Sequence, residues 1–74
     1  MKYRKAYRQV YDLHDTALAK VEETAVDAFW SWYWEQAGAI CEANANDAFV
    51  VDLIVAVAQD LERRQRAGEE EKTA

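Results

Sequence analysis

Proline is absent from this chain, and only two of its 74 residues are glycine. Those two residue types interrupt helices most strongly, so their scarcity leaves long stretches free to be helical. Apolar residues make up 51% of the chain and charged residues 31%, a composition typical of a folded protein rather than a disordered one. At this length we expect a single small domain.

Cysteine and histidine each occur once, as Cys41 and His14. A single cysteine excludes an intramolecular disulfide and a cysteine-cluster zinc site, and a single histidine excludes most catalytic metal sites. We therefore expect no metal site and no cofactor. A lone reduced thiol favours a cytoplasmic location. We expect no signal peptide, because the basic start of the chain is followed by a polar helix rather than an apolar stretch. No apolar run reaches the roughly 18 residues that a membrane span needs.

Basic residues are missing from the middle of the chain. The formal net charge is −5, residues 1–20 are net positive, and residues 21–60 contain no Lys or Arg. That middle segment carries the carboxylates of Glu22, Glu23, Asp27, Glu35, Glu42, Asp47, Asp52 and Asp60. Such a surface repels nucleic acid and anionic membranes, so we expect a partner protein with a basic surface, and no direct binding to nucleic acid or membrane. The alternative is that these carboxylates only keep a small apolar protein in solution.

The spacing of apolar residues predicts three helices, over residues 2–22, 25–43 and 47–67. The clearest break lies between the second and third, where Asn44, Asn46 and Asp47 favour helix caps and left-handed backbone. A weaker break is expected at 22–24, because Thr24 and Asp27 have the spacing of a capping box. One continuous helix through residue 37 is the alternative there.

The end of the third helix is expected near residue 67, with Gly68 as the residue that follows the C-cap. Arg63, Arg64 and Arg66 in the last turns suit the negative end of the helix dipole. Residues 69–74 then form a disordered acidic tail, after a single helical domain over residues 1–68.

Each predicted helix has an apolar face. The first helix presents Tyr3, Tyr7, Val10, His14, Ala17 and Val21, with Tyr11 and Leu18 alongside. The second presents Val26, Phe29, Trp30, Tyr33, Ala37, Ile40 and Cys41, with Gly38 allowing another helix to approach closely. The third is apolar from Ala48 to Ala58 except at Asp52, which predicts a central helix, although its β-branched residues also permit a buried strand.

These patterns predict an all-α fold, a compact three-helix unit or helical bundle. So short a chain has few layers to cover its apolar side chains. We therefore expect a homodimer, formed most simply by two-fold pairing of the helix 2 or helix 3 faces. A tightly packed monomer with a few exposed aromatic rings is the alternative.

Aromatic residues crowd residues 29–34, where five of six side chains carry rings. On a helix these rings fan across roughly 200°, wider than a single core-facing stripe. We expect Trp32 or Trp34 to lie at the edge of the core or outside it. Aromatic anchors with carboxylates around them suit a surface that carries Arg and Lys. The candidate partner-binding residues are Trp30, Trp32, Trp34, Asp27, Glu35 and Glu42; the alternative is that the rings only fill the core.

Other features carry weaker hypotheses. Asp12, His14 and Asp15 could form a metal or acid–base site, but a packed or partly exposed histidine is the simpler interpretation. Cys41 is expected to be a small buried hydrophobe. The basic residues of the first helix could contact nucleic acid, but a solvated helix end or a complement to the acidic middle of the chain is the simpler interpretation. We expect no catalytic residue, because no convergent set of polar groups is visible.

The function expected from the sequence is therefore non-enzymatic binding. The acidic and aromatic surface of helix 2 would dock on a basic site of a larger protein, such as a nucleic-acid-binding one. The chain would then act as an inhibitor or nucleic-acid mimic. Small acidic helical proteins of phages and mobile elements with anti-defence roles share this general character of size and charge. The alternative is a structural, self-assembling homodimer or a small subunit of a larger complex.

Overall fold

A computed structural model describes the backbone of residues 2–73 and the side chains of residues 2–67. The chain forms a compact three-helix bundle with α1 at Arg4–Lys20, α2 at Val26–Ala43 and α3 at Ala48–Thr73. The predicted all-α class is confirmed, and no strand occurs among residues 2–73. Over that same range, none of the three helices combines the length and apolarity needed to cross a bilayer.

The connection between α1 and α2 confirms the break expected at 22–24 and excludes one continuous helix. The turn keeps Thr24 close to α1, because its backbone N–H donates to the Lys20 carbonyl at 3.0 Å. The predicted capping box is wrong, since the N-cap of α2 is Ala25, which has no side chain able to cap. Asp27 does lie in the first turn, where its negative charge favours the helix dipole.

The second connection is held by capping side chains, as the sequence predicted. The Asn44 amide donates to the Ile40 carbonyl at 2.7 Å and to the Gln9 side chain of α1 at 2.8 Å. Ala45 and Asn46 both adopt left-handed backbone with φ of 55°. One Asp47 carboxylate oxygen caps α3 by accepting the N–H groups of Phe49 and Val50, at 2.9 and 3.4 Å.

The third helix continues past its expected end. α3 runs through Gly68 to Thr73, so the predicted end near residue 67 is wrong. Residues 1 and 74 and the side chains of residues 68–74 lie outside the described part of the chain. The division into a domain over 1–68 and a disordered tail over 69–74 stays a prediction.

The buried face of α1 is displaced from the predicted one. Ala6, Val10, Leu13 and Ala17 are buried, whereas Tyr7, Tyr11 and Leu18 are exposed. The small alanines let neighbouring helices come close, while the tyrosines at the margin keep their hydroxyl groups in water. The predicted stripe is rotated away from the observed buried face because the prediction counted tyrosines as core residues.

In α2, Phe29, Tyr33 and Ala37 are buried and form the core with residues of the other two helices. Trp30, Ile40 and Cys41 are partly buried against that core. The prediction for Val26 is wrong, because its side chain is half exposed at the start of the helix. Gly38 does not serve a close helix approach, since a Cβ there would meet no atom within 4 Å.

The expectation that α3 is central is also wrong. Its buried residues are Val50, Ile54, Val57, Ala58 and Leu61, which occupy one side of the helix. Phe49, Val51 and Val55 each remain more than a third exposed. In a bundle of three helices each helix has only two neighbours, so part of this nearly all-apolar helix is left facing solvent.

Candidate docking surface

The aromatic segment of α2 is divided between the core and the surface. Phe29 and Tyr33 are fully buried, Trp30 and Trp32 are partly buried, and Trp34 is 50% exposed. The expectation that at least one tryptophan lies outside the core is therefore met by Trp34.

Trp34 is held in place by two neighbouring rings. Its ring stacks on that of Trp30, with the centroids 6.2 Å apart, and meets the Tyr33 ring edge-on at 5.0 Å. Tyr33 is itself anchored, because its hydroxyl donates to the Ile54 carbonyl of α3 at 2.6 Å. Burial, with a smaller contribution from Cys41, raises the pKa of Tyr33 to about 12. Half of the Trp34 side chain is thus presented to solvent on a rigid aromatic base.

Trp30 fixes the junction of α2 with α3. Its indole N–H donates to the Gln65 side-chain oxygen at 3.1 Å. The Gln65 nitrogen is buried and has no hydrogen-bond partner among the described residues. Trp30 therefore supports Trp34 from within the bundle and contributes less exposed surface of its own.

Trp32 lies on the other flank of α2, toward α1. The Lys20 ammonium group is 5.2 Å from the centroid of its ring, in cation–π geometry. Trp32 also lines an open groove between the two helices together with Leu13 and Ile40. The structure therefore separates Trp32 from Trp34, and the six predicted binding residues do not form one surface.

The carboxylates of α2 accompany Trp34 instead. Asp27, Glu35 and Glu42 are all exposed. Asp27 and Trp34 are seven residues apart, as are Glu35 and Glu42, so each pair is aligned along the helix two turns apart. The two pairs lie within about 100° of the helix circumference. We call Asp27, Trp34, Glu35 and Glu42 the acidic tryptophan face.

Two exposed valines, Val51 and Val55, lie on the side of α3 that is turned toward α2. Gln65 marks the side of α3 that meets α2, and Val51 and Val55 lie about 40° and 80° further round the helix. Asp60 marks the side that meets α1, and Val51 is about 180° from it. Val51 and Val55 therefore lie on the exposed part of α3 that is nearer to α2 than to α1.

The candidate acid–base group has a different partner from the one expected. His14 is paired with neither Asp12 nor Asp15; its Nε2 lies 2.9 Å from an Asp60 carboxylate oxygen on α3. Arg64 donates to the same oxygen at 2.9 Å. These two hydrogen bonds lower the pKa of Asp60, and the one from Arg64 contributes more than the one from His14. The sequence carried no signal for this pair, because the two residues are 46 positions apart and each is unremarkable on its own helix.

No cluster of three or more His, Cys, Asp or Glu side chains able to hold a metal ion occurs among the described residues. Cys41 is a free thiol and is only partly buried, less enclosed than the sequence suggested.

No protein-family model, curated protein or solved structure matches this chain significantly.

Proposed function

We propose that this chain is a small, non-enzymatic binding protein whose acidic tryptophan face docks on a basic surface of another protein. The observation that carries this proposal is the half-exposed Trp34, backed by Trp30 and Tyr33 in a helix that contains no basic residue.

A ring held in this way is a suitable anchor. Trp34 already has its orientation fixed by two aromatic contacts, so little side-chain freedom remains to be lost on binding. Its open surface can receive an apolar side chain or an arginine through cation–π contact. Val51 and Val55 widen the apolar centre, while Asp27, Glu35 and Glu42 supply the charge that orients a basic partner.

A nucleic-acid-mimic or inhibitor function adds one expectation to this proposal. If the partner's basic site normally holds DNA or RNA, the chain competes with that nucleic acid for the site. Displacement of labelled DNA from a basic DNA-binding protein, lost in Trp34→Ala, measures this directly. Displacement that is unchanged in that variant contradicts a mimic that acts through this face.

The proposal is tested with an arginine-rich peptide and a peptide of the same composition in which every Arg is replaced by Gln. We expect the arginine-rich peptide alone to bind, and Trp34→Ala and Glu35→Gln each to weaken its binding at least several-fold.

Asp12→Asn is the matched control for charge, because Asp12 lies in the groove between α1 and α2. Trp32→Phe is the control for loss of an indole on the opposite flank. Equal weakening by the control variants, or binding that does not need Trp34, contradicts the proposal.

A further inference from the structure

A second surface, on α1, has the opposite charge. Arg4, Tyr7, Arg8 and Tyr11 follow the spacing i, i+3, i+4 and i+7, which places all four on one side of the helix. All four side chains are exposed. Residues 2–11 contain no carboxylate. We call this set the tyrosine–arginine face.

Packing in the core does not account for the two tyrosines of this face. Tyr11 is 69% exposed and Tyr7 is 41% exposed, while the core face of α1 is formed by smaller side chains. Tyr7 packs against the Phe49 ring of α3 with centroids 6.1 Å apart, so the face has a fixed aromatic edge. Tyrosine and arginine are the residues most enriched, with tryptophan, at the centres of protein interfaces.

We propose that the tyrosine–arginine face of one copy of this chain docks on the acidic tryptophan face of a second copy. The inference rests on the proposed function, because it names the partner of the same acidic tryptophan face. In this contact Arg4 and Arg8 meet carboxylates and the open side of Trp34, and the tyrosine rings cover apolar surface.

Charge decides between this arrangement and two-fold pairing through either of these two faces. A two-fold dimer through the acidic tryptophan face brings Asp27, Glu35 and Glu42 of one copy against the same residues of the other. Like charges brought together across an interface are strongly unfavourable. Pairing the tyrosine–arginine face with itself meets the same objection. The complementary pairing instead sets the arginines of one copy against the carboxylates of the other.

The two faces lie on different helices, so one copy can engage a neighbour through each of them. A contact between two different surfaces does not end at a dimer, but continues into an open chain or closes into a ring. The association therefore grows with protein concentration and weakens at high salt.

Sedimentation velocity with two single-face variants tests this arrangement. Arg8→Ser with Tyr11→Ser removes the first face, and Trp34→Ala with Glu35→Gln removes the second; all four residues are exposed, so folding should be retained. We expect the unmodified chain to form species larger than a dimer. Each variant alone should stay monomeric, and an equal mixture of the two should form a dimer that does not grow.

Lys20→Gln is the matched control, because it removes one basic charge at the other end of α1, about 18 Å along the helix from Arg8. It should assemble as the unmodified chain does. The inference is overturned if the unmodified chain stays monomeric, if its growth stops at a dimer, if either variant assembles alone, or if the mixture stays monomeric.

A monomeric chain that still binds the arginine-rich peptide through Trp34 overturns this inference and leaves the proposed function standing. The inference is also overturned if the chain is monomeric and binds single-stranded DNA, and if this binding is lost in the Arg8→Ser, Tyr11→Ser variant. That result would assign the tyrosine–arginine face to a polyanion.

Discussion

His14 and Asp60 lie 46 residues apart in the chain, yet the imidazole Nε2 and a carboxylate oxygen are 2.9 Å apart. This contact joins α1 to α3 through the side of α3 that is opposite Val51. Arg64, one turn further along α3, donates to the same oxygen, and Arg63 Nη2 lies 3.7 Å from the other Asp60 oxygen, which makes a four-residue cluster. The cluster ties two helices together and gives the stability of the fold a defined dependence on pH.

The carboxyl group of Asp60 should contribute to stability at neutral pH but not in acid. Because Arg64 and His14 lower its pKa in the folded protein, the contribution is fully present above the ordinary pKa of 3.8. It is lost as the pH falls through the lower folded value. Asp60→Asn should therefore reduce the free energy of unfolding at neutral pH, with the difference from the unmodified chain shrinking well below pH 3.8. Urea unfolding at the two pH values measures this, with the exposed Asp52→Asn as control; a difference that does not shrink in acid contradicts the assignment.

The Tyr33 hydroxyl should affect the stability of the fold in two ways: through its hydrogen bond at neutral pH and through its ionisation at high pH. Tyr33→Phe removes the hydrogen bond to the Ile54 carbonyl and should lower the free energy of unfolding by about 1 kcal/mol at neutral pH. The pKa of Tyr33 is raised from 10.0 to about 12, so its protonated form stabilises the fold fully below pH 10. That contribution is lost as the pH rises through about 12.

Unfolding of the unmodified chain should accordingly become easier between pH 10 and 12, and Tyr33→Phe should flatten this decline. Tyr11→Phe, at a highly exposed position, should change neither quantity. Equal behaviour of the two variants would show that the Tyr33 hydroxyl has no special role.

Gly38 should be replaceable by alanine with a gain in stability. It lies inside α2, and an added Cβ meets no atom within 4 Å. Since alanine is favoured over glycine in a helix interior, Gly38→Ala should raise the free energy of unfolding by about 1 kcal/mol. The neighbouring exposed substitution Ala39→Gly should lower it by a similar amount. A loss of stability in Gly38→Ala, seen as an earlier denaturant midpoint, would mean that a helix packs closely there after all.

The start of α2 offers a second stabilising substitution. Ala25 occupies the N-cap with non-helical backbone and cannot accept a hydrogen bond through its side chain. Ala25→Ser supplies such an acceptor and should raise the midpoint of thermal unfolding, by an amount corresponding to about 1 kcal/mol. Ala39→Ser, in the interior of the same helix, should give no such gain. An unchanged midpoint in Ala25→Ser would contradict the cap position.

The helices could be predicted from the sequence because their signals are local. The Asn44 to Asp47 segment caps both flanking helices through its own side chains, and helical spacing within α2 places Phe29, Tyr33 and Ala37 together. The buried face of α1 was harder to predict, because its alanines and tyrosines repeat with the same helical period. Only the packing of the helices shows which of the two sets is buried.

The candidate site was predictable only in part. A cluster of rings too wide for one core stripe predicts an exposed indole, and Trp34 is that residue. Whether Trp32 shares its surface depends on where α1 lies, and the contact between Trp32 and Lys20 is visible only in three dimensions. The pairing of His14 with Asp60 is likewise set by how α1 and α3 pack, not by either helix alone.

The three tryptophan indole N–H signals in a ¹H–¹⁵N spectrum give the most direct test of the acidic tryptophan face. Their assignment follows from the loss of one signal each in Trp30→Phe, Trp32→Phe and Trp34→Phe. As the arginine-rich peptide is added, the Trp34 signal should shift most and that of Trp32, on the opposite flank, should stay in place. A shift that is largest at Trp32, or no shift at Trp34 when the peptide is bound, would contradict the account.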